Sequence, residues 1–199
     1  MNAYSFVDAF ERRVAEFSGA PFAVAVDSCT NALFLSLMWM ARQNAGSLPA
    51  LEIPARTYVS VPQAIRQAGF AFTLVDKPWV GVYDLEPLGV RDGAKRFRRG
   101  MYKYGYHCLS FHIKKNLPIG RGGMVLHSSP AFDAWARAAR HNGRPDKDAT
   151  RVATQEGWDC YMTPEQAARG MALMDVMPPN GFPDQTEDYP DLRTMEVFK

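Results

Sequence analysis

Ser110-Phe111-His112-Ile113-Lys114-Lys115-Asn116-Leu117-Pro118-Ile119-Gly120-Arg121-Gly122-Gly123 is the stretch on which the fold turns. A hydroxyl, two adjacent lysines and a glycine-rich turn follow an apolar run at 106–109. Lysine forms an imine with an aldehyde once its amine sheds a proton, and partial burial beside a second cation promotes that loss. The glycines let the backbone approach a ligand closely. Periodicity leaves open which lysine points inward, and a solvated charge pair is the plain alternative.

Outward from this turn, helical and extended patterns alternate. Phe6, Phe10, Val14 and Phe17 recur at helical spacing up to Gly19, which predicts a helix over 5–18. Strands are expected at 22–26, 51–53, 70–75 and 80–83, one ending at 109, and another over 123–126. Helices are expected at 31–42, 59–68 and 130–141, and after Thr163-Pro164, where a cap residue precedes a proline at the first position. Residues 85–105 read as an irregular basic loop. This alternation predicts an α/β fold, a compact three-layer sandwich with a mainly parallel sheet. The expected division is a compact unit over 1–157 and, over 158–199, a helix with an acidic tail and no independent second domain.

Composition narrows the class. The 199 residues are 47% apolar and 22% charged, ordinary for a globular chain. No run is long enough to cross a bilayer and no secretory pattern opens the sequence, so a cytoplasmic protein without membrane contact is expected. Cys29, Cys108 and Cys160 form neither a CxxC pair nor an even set, which argues against disulfides and metal alike. The net charge is only +2 but is unevenly spread. Arg91, Lys95, Arg96, Arg98, Arg99, Lys103, Lys114 and Lys115 lie close together, whereas Asp184, Glu187, Asp188, Asp191 and Glu196 crowd the tail.

Two further positions carry chemistry in such a fold. Asp27-Ser28-Cys29-Thr30-Asn31 joins a strand to a helix, and the unpaired N–H groups there suit a phosphate, or need no more than a serine or threonine cap. Asp84 follows an apolar run. A carboxylate at a strand's carboxyl end can hold a pyridinium nitrogen protonated, or can be an exposed loop acid.

Taken in order, Asp27 to Leu33, Pro54 to Val59, Ala68 to Asp76, Ser110 to Leu117, and Gly122 to Val125 resemble the DegT/StrS group of pyridoxal-phosphate sugar aminotransferases, of fold type I. Gly157 to Thr163 with Glu165 to Ala168 is similar to a later block of that family. The resemblance runs from about Phe6 to Met177 and implies pyridoxal 5'-phosphate as cofactor and a homodimer. It implies that Lys115 is the Schiff-base lysine, that Ser110 and the Ser28, Cys29 and Thr30 amides bind the phosphate, and that Tyr58 stacks on the pyridine ring. Asp84 would then pair with the ring nitrogen and Gln63 would lie near the cofactor. The sequence departs from the family at Pro87, Asp159 and Cys29, and the family's carboxyl-terminal small domain is expected to be reduced or absent.

The basic tract interleaves cations with Phe97, Tyr102, Tyr104 and Tyr106, a combination that suits nucleic acid or, equally, a loop packed on the chain's own acidic tail. The nucleic-acid reading makes the chain similar to short phage enzymes of DNA hypermodification, with Arg91, Lys95, Arg96, Arg98, Arg99 and Lys103 as contacts. The expected substrate is an amino-acid-type amine on a nucleotide or DNA base, with decarboxylation ahead of transamination. The alternatives are transamination of a nucleotide-linked sugar and a non-catalytic binding module.

Overall fold

The computed structural model describes residues 2–44, 47–145, 152–186 and 188–198. Glu187 and part of the loop expected over 142–156 lie outside the described residues. The elements run α1 (Ser5–Ser18), β1 (Phe22–Val26), α2 (Cys29–Gln43), β2 (Leu51–Pro54), α3 (Ser60–Gln67), β3 (Phe72–Val75), β4 (Tyr83–Leu85), β5 (Val90–Asp92), β6 (Tyr106–Ser110), β7 (Gly123–His127), α4 (Pro130–Ala139) and α5 (Pro164–Val176).

Strand alternation builds three layers. Val24 and Val26 of β1, Cys108 of β6 and Val125 of β7 face a core shared with Leu33 and Leu37 of α2, Ile65 of α3 and Phe132 of α4. Their neighbours Ala23, Ala25, Leu109, Met124 and Leu126 face the other side, onto Phe10, Val14 and Phe17 of α1 and Met174 of α5. A period of two along each strand and of 3.6 along each helix is what separates these two cores. In α1 the buried stripe begins at Val7, and Phe6 is 45% exposed, against the expected spacing. Gly19 ends that helix in the left-handed conformation, φ 77°. A capping box of Thr163 and Gln166 opens α5.

The sheet is mixed, where a mainly parallel one was expected. Its strands run β1-β7-β6-β5-β4, with only β5–β6 parallel; β2 and β3 form a second, parallel pair. A single Glu52–Glu86 bridge links the two sheets. Parallel neighbours need a crossover of a dozen residues or so, and only the turn at 86–89 joins β4 to β5. Strand β5 also lies inside the stretch expected to be loop. It is three residues long and two of them are charged, which hides it from a hydropathy reading.

A buried ion cluster lies in the sandwich. Glu11 of α1, 2% exposed, accepts from the Ala25 N–H (2.8 Å) and from Arg140, and its other oxygen accepts from Arg137 at 2.6 Å. Arg137 also pairs with Asp133 at 2.7 Å. Burial works to raise the Glu11 carboxyl, but the Arg140 and Arg137 guanidiniums outweigh it and hold the group below its ordinary range. The cluster ties α1 to the edge strand β1 and to α4.

Glu11→Gln leaves Arg140 buried without its anion and should cost about 3 kcal/mol in urea unfolding at neutral pH. The sign follows from the lowered pKa. The stabilisation is complete above the ordinary glutamate range and is lost as pH falls through the lower folded value, so the variant should lose less stability than the wild type on acidification.

Candidate active site

A cavity of about 560 Å³ opens where several strands end. The carboxyl ends of β1, β2, β5 and β6 deliver Ser28, Thr57, Asp92 and Ser110 to it, and Gly122 comes from the residue before β7. Ligand crevices of α/β folds lie in this position.

One wall is the start of α2. The Ser28 hydroxyl caps it, accepting from the Asn31 N–H at 3.2 Å, and the Thr30 hydroxyl lies 2.7 Å from that of Ser60. Glycine is required opposite. A Cβ at Gly123 would sit 2.3 Å from the Ser28 carbonyl carbon and 2.5 Å from the Cys29 nitrogen. The bare backbone lets the start of β7 press against this turn and keeps its amides aimed at the cavity. Arg121 reaches over the rim to Asp27, 2.7 Å away.

The floor is Asp92, 3% exposed. Its oxygens accept from the Ala94 N–H (2.9 Å) and the Tyr83 hydroxyl (3.0 Å), and Tyr83 lies 2.6 Å from the Thr57 hydroxyl. Burial raises the Asp92 pKa, and these donors, with the charges of Lys115 and Lys95, hold that rise back. Burial and the Asp92 charge together push Tyr83 well up, so its proton stays. Burial likewise pushes the Cys29 thiol well up, which keeps it protonated and non-nucleophilic.

Lys115 projects from the turn after β6. Its N–H donates to the His112 carbonyl at 2.8 Å, and the buried Asn116 and Leu117 behind it fix the backbone. Lys114 is exposed, whereas Lys115 is partly buried, and its charge acts on both Asp92 and Cys29. Both lysines line the cavity, and the greater burial of Lys115, with its charge acting on Asp92, favours it as the inward amine.

Of the residues expected at the site, Ser28, Cys29, Thr30, Tyr58, Ser110 and Lys115 line the one cavity. Gln63 and Asp84 do not. Gln63 is exposed on α3. Asp84 pairs instead with Arg91 at 2.8 Å and meets the Tyr104 hydroxyl. Strand alternation accounts for it: Tyr83 and Asp92 share one face of the β4–β5 hairpin, and Asp84 and Arg91 share the other. The sequence reading missed Asp92, although Asp92-Gly93-Ala94-Lys95 offered an acid followed by small residues at a strand end. Asp159 is exposed and outside the lining.

The basic tract is largely consumed inside the molecule. Arg91 and Lys95 are buried, and Arg96 grips Asp184 through two nitrogens at 2.5–3.0 Å. Arg99 donates to the Pro179 carbonyl and lies over the Phe17 ring. Arg98 and Lys103 are exposed. The tract meets the acidic tail through Arg96 and Asp184.

The residues present suit pyridoxal phosphate. They supply a glycine-backed helix start for an anion, a buried carboxylate, and a lysine lining the same cavity. Among the described residues no cluster could hold a metal ion, and no helix is long and apolar enough to cross a membrane.

Known proteins share this architecture. A DegT DnrJ EryC1 StrS aminotransferase from Brucella abortus superposes with a TM-score of 0.71 at 17% identity, over 86% of this chain and 58% of its own. A putative PLP-dependent aminotransferase from Bacillus cereus ATCC 10987 gives 0.71 at 20% identity, over 87% and 59%. DesI, solved in the presence of its TDP-sugar product, gives 0.63 at 23% identity, over 86% and 53%. The chain thus spans under two thirds of the length of these structural relatives. No curated protein matches it by sequence. The profile of one family covers residues 1–79 and 98–178, most of the sequence. The chain belongs to the DegT/DnrJ/EryC1/StrS aminotransferase family.

Proposed function

We propose that this protein is a pyridoxal-phosphate-dependent aminotransferase that carries its cofactor on Lys115. The observation that carries the reading is the sharing of one cavity by Lys115, the buried Asp92 and the glycine-backed start of α2. Pyridoxal phosphate, when bound, supplies an electron sink for charge developing at the substrate carbon.

The chain's own groups do the rest. The amides at Ser28, Cys29 and Thr30, with the Ser110 hydroxyl, bind the phosphate at the positive end of α2. Asp92, rather than Asp84, lines the cavity and would hold the ring nitrogen protonated. Tyr83 and Thr57 hold the carboxylate in orientation for this. Tyr58, 56% exposed on the cavity rim, covers the ring face. Once a substrate amine takes its place on the cofactor, the Lys115 amine can move a proton at the reacting carbon.

The TDP-sugar product solved with DesI supports a sugar-type substrate. The charge-based support for an amine on a nucleotide or DNA base is weakened, since Arg91 and Arg96 pair with Asp84 and Asp184 and Lys95 is buried. We infer a homodimer from the family alone; sedimentation at micromolar concentration would check it.

Purified protein given pyridoxal phosphate should gain visible absorption, and borohydride should fix the cofactor's mass on residue 115. Lys115→Ala should lose the absorption and about 10³-fold in turnover. A chain that never gains the band is a binding module.

Asp92→Asn separates cofactor binding from folding. Because the folded Asp92 pKa is raised, its ionised form costs stability in the cofactor-free protein above the ordinary aspartate range. The variant should therefore melt no lower than the wild type without cofactor. It should bind pyridoxal phosphate about 10- to 100-fold more weakly by equilibrium dialysis, having lost one charge-assisted hydrogen bond.

A further inference from the structure

Two stretches fall outside the family match, residues 80–97 and those after 178. In the fold they pack on each other. Arg96 holds Asp184, the Gln185 N–H donates to the Lys95 carbonyl at 2.9 Å, and the Phe182 N–H donates to that of Phe97 at 3.0 Å. At Gly81 a Cβ would lie 2.4 Å from the Asp184 carboxyl carbon, so only glycine admits the acid there.

From this anchor the tail continues to Tyr189, which lines the cavity. The amide of Asn116, the residue after Lys115, donates to the Pro183 carbonyl at 3.2 Å. Arg56 donates to the Tyr189 carbonyl at 3.2 Å, and the Leu192 N–H donates to that of Ala55 at 2.9 Å. Both residues that hold the tail here, Arg56 as donor and Ala55 as acceptor, thus belong to the loop between β2 and α3, which carries Thr57 and Tyr58. Leu192 is fully buried, and Arg66 fastens the far end through the Val197 carbonyl at 2.7 Å. Tyr189 lines the cavity at 8% exposure. Its ring lies nearly parallel to Trp79 (6.2 Å, 14°) and 6.2 Å from Tyr58.

We propose that residues 182–198 (residue 187 lies outside the described set) form a strap that is part of the cofactor site. Tyr189, backed by Trp79, is its inner wall. The strap's ties to Asn116 and to the β2–α3 loop position Lys115 and Tyr58 around the cofactor. The proposal rests on pyridoxal phosphate binding at Lys115, and it makes Tyr189 and Asp184 positioning residues.

Coupling between cofactor and strap must run both ways. Trypsin can reach Arg193 only when the neighbouring Leu192 leaves its pocket, so cleavage there reports strap release. In the full chain, loading with pyridoxal phosphate should slow that cleavage about tenfold. Asp184→Asn, which frees the strap outside the cavity, should abolish the protection and speed cofactor dissociation about tenfold. Tyr189→Ala should speed dissociation similarly and Tyr189→Phe should restore it, with circular dichroism unchanged in each. Asp175→Asn, which breaks only the surface pair with Arg13, should behave as wild type. Equal cleavage with and without cofactor, in protein whose absorption shows it bound, would make the strap mere cover and overturn the proposal. Dissociation unaltered in Tyr189→Ala would do the same. Protein that never takes up the cofactor would refute the reading beneath it, and the strap's role with it.

Discussion

A carboxyl group sealed under a sheet edge is the constraint to which the site answers. Asp92 is buried, and its two neutral donors, the Ala94 N–H and the Tyr83 hydroxyl, compensate an anion only in part. A buried anion is tolerated when a cation completes it. The charges of Lys115 and Lys95 favour its ionised form. A protonated ring nitrogen in the cavity would favour it further. The hairpin β4–β5 adds Leu85 and Val90 to the core, aligns Tyr83 with Asp92 and turns the Asp84–Arg91 pair away.

What the sequence disclosed, and what it hid, divide along physical lines. Elements with a long apolar period, α1, β1 and α2, lie within a residue or two of expectation, and α5 was legible from Thr163 and Pro164 at its start. The lysine turn and the glycines opposite α2 were legible because backbone geometry leaves few substitutes there. Asp92 was not. Its strand is three residues long, and Arg91 and Asp92 are buried by pairing rather than by apolarity, so nothing in its hydropathy marks it as a strand. Asp84 was preferred because it follows a longer apolar run, but a shift of one residue in register moves a side chain to the opposite face.

The charge asymmetry was visible and its meaning was not. Clustered cations in a sequence suggest a polyanionic partner, but the same clustering arises when a chain neutralises itself. Arg96 with Asp184 is nearly bidentate and mostly shielded from water, unlike the solvated pairs that cluster on a typical surface. Distinguishing the two outcomes requires knowing whether the acidic tail can reach the basic loop, which is a property of the fold and not of either segment alone.

The tail illustrates how an extended segment acquires a fixed place without secondary structure. Its backbone groups are satisfied one by one by groups of the body: carbonyls of Ala55, Lys95 and Phe97 accept, and side chains of Arg56, Arg66, Arg99 and Asn116 donate. Each such bond adds only about 1 kcal/mol, comparable to the cost of ordering a residue. Net order must then come from the side chains buried along the way, Tyr189, which lines the cavity, and Leu192 three residues on. Its best-anchored portion is thus the portion that faces the site. Any change in the packing of Trp79 or Tyr58 against a ligand is felt first by Tyr189, and through it by the ties that hold the rest of the tail.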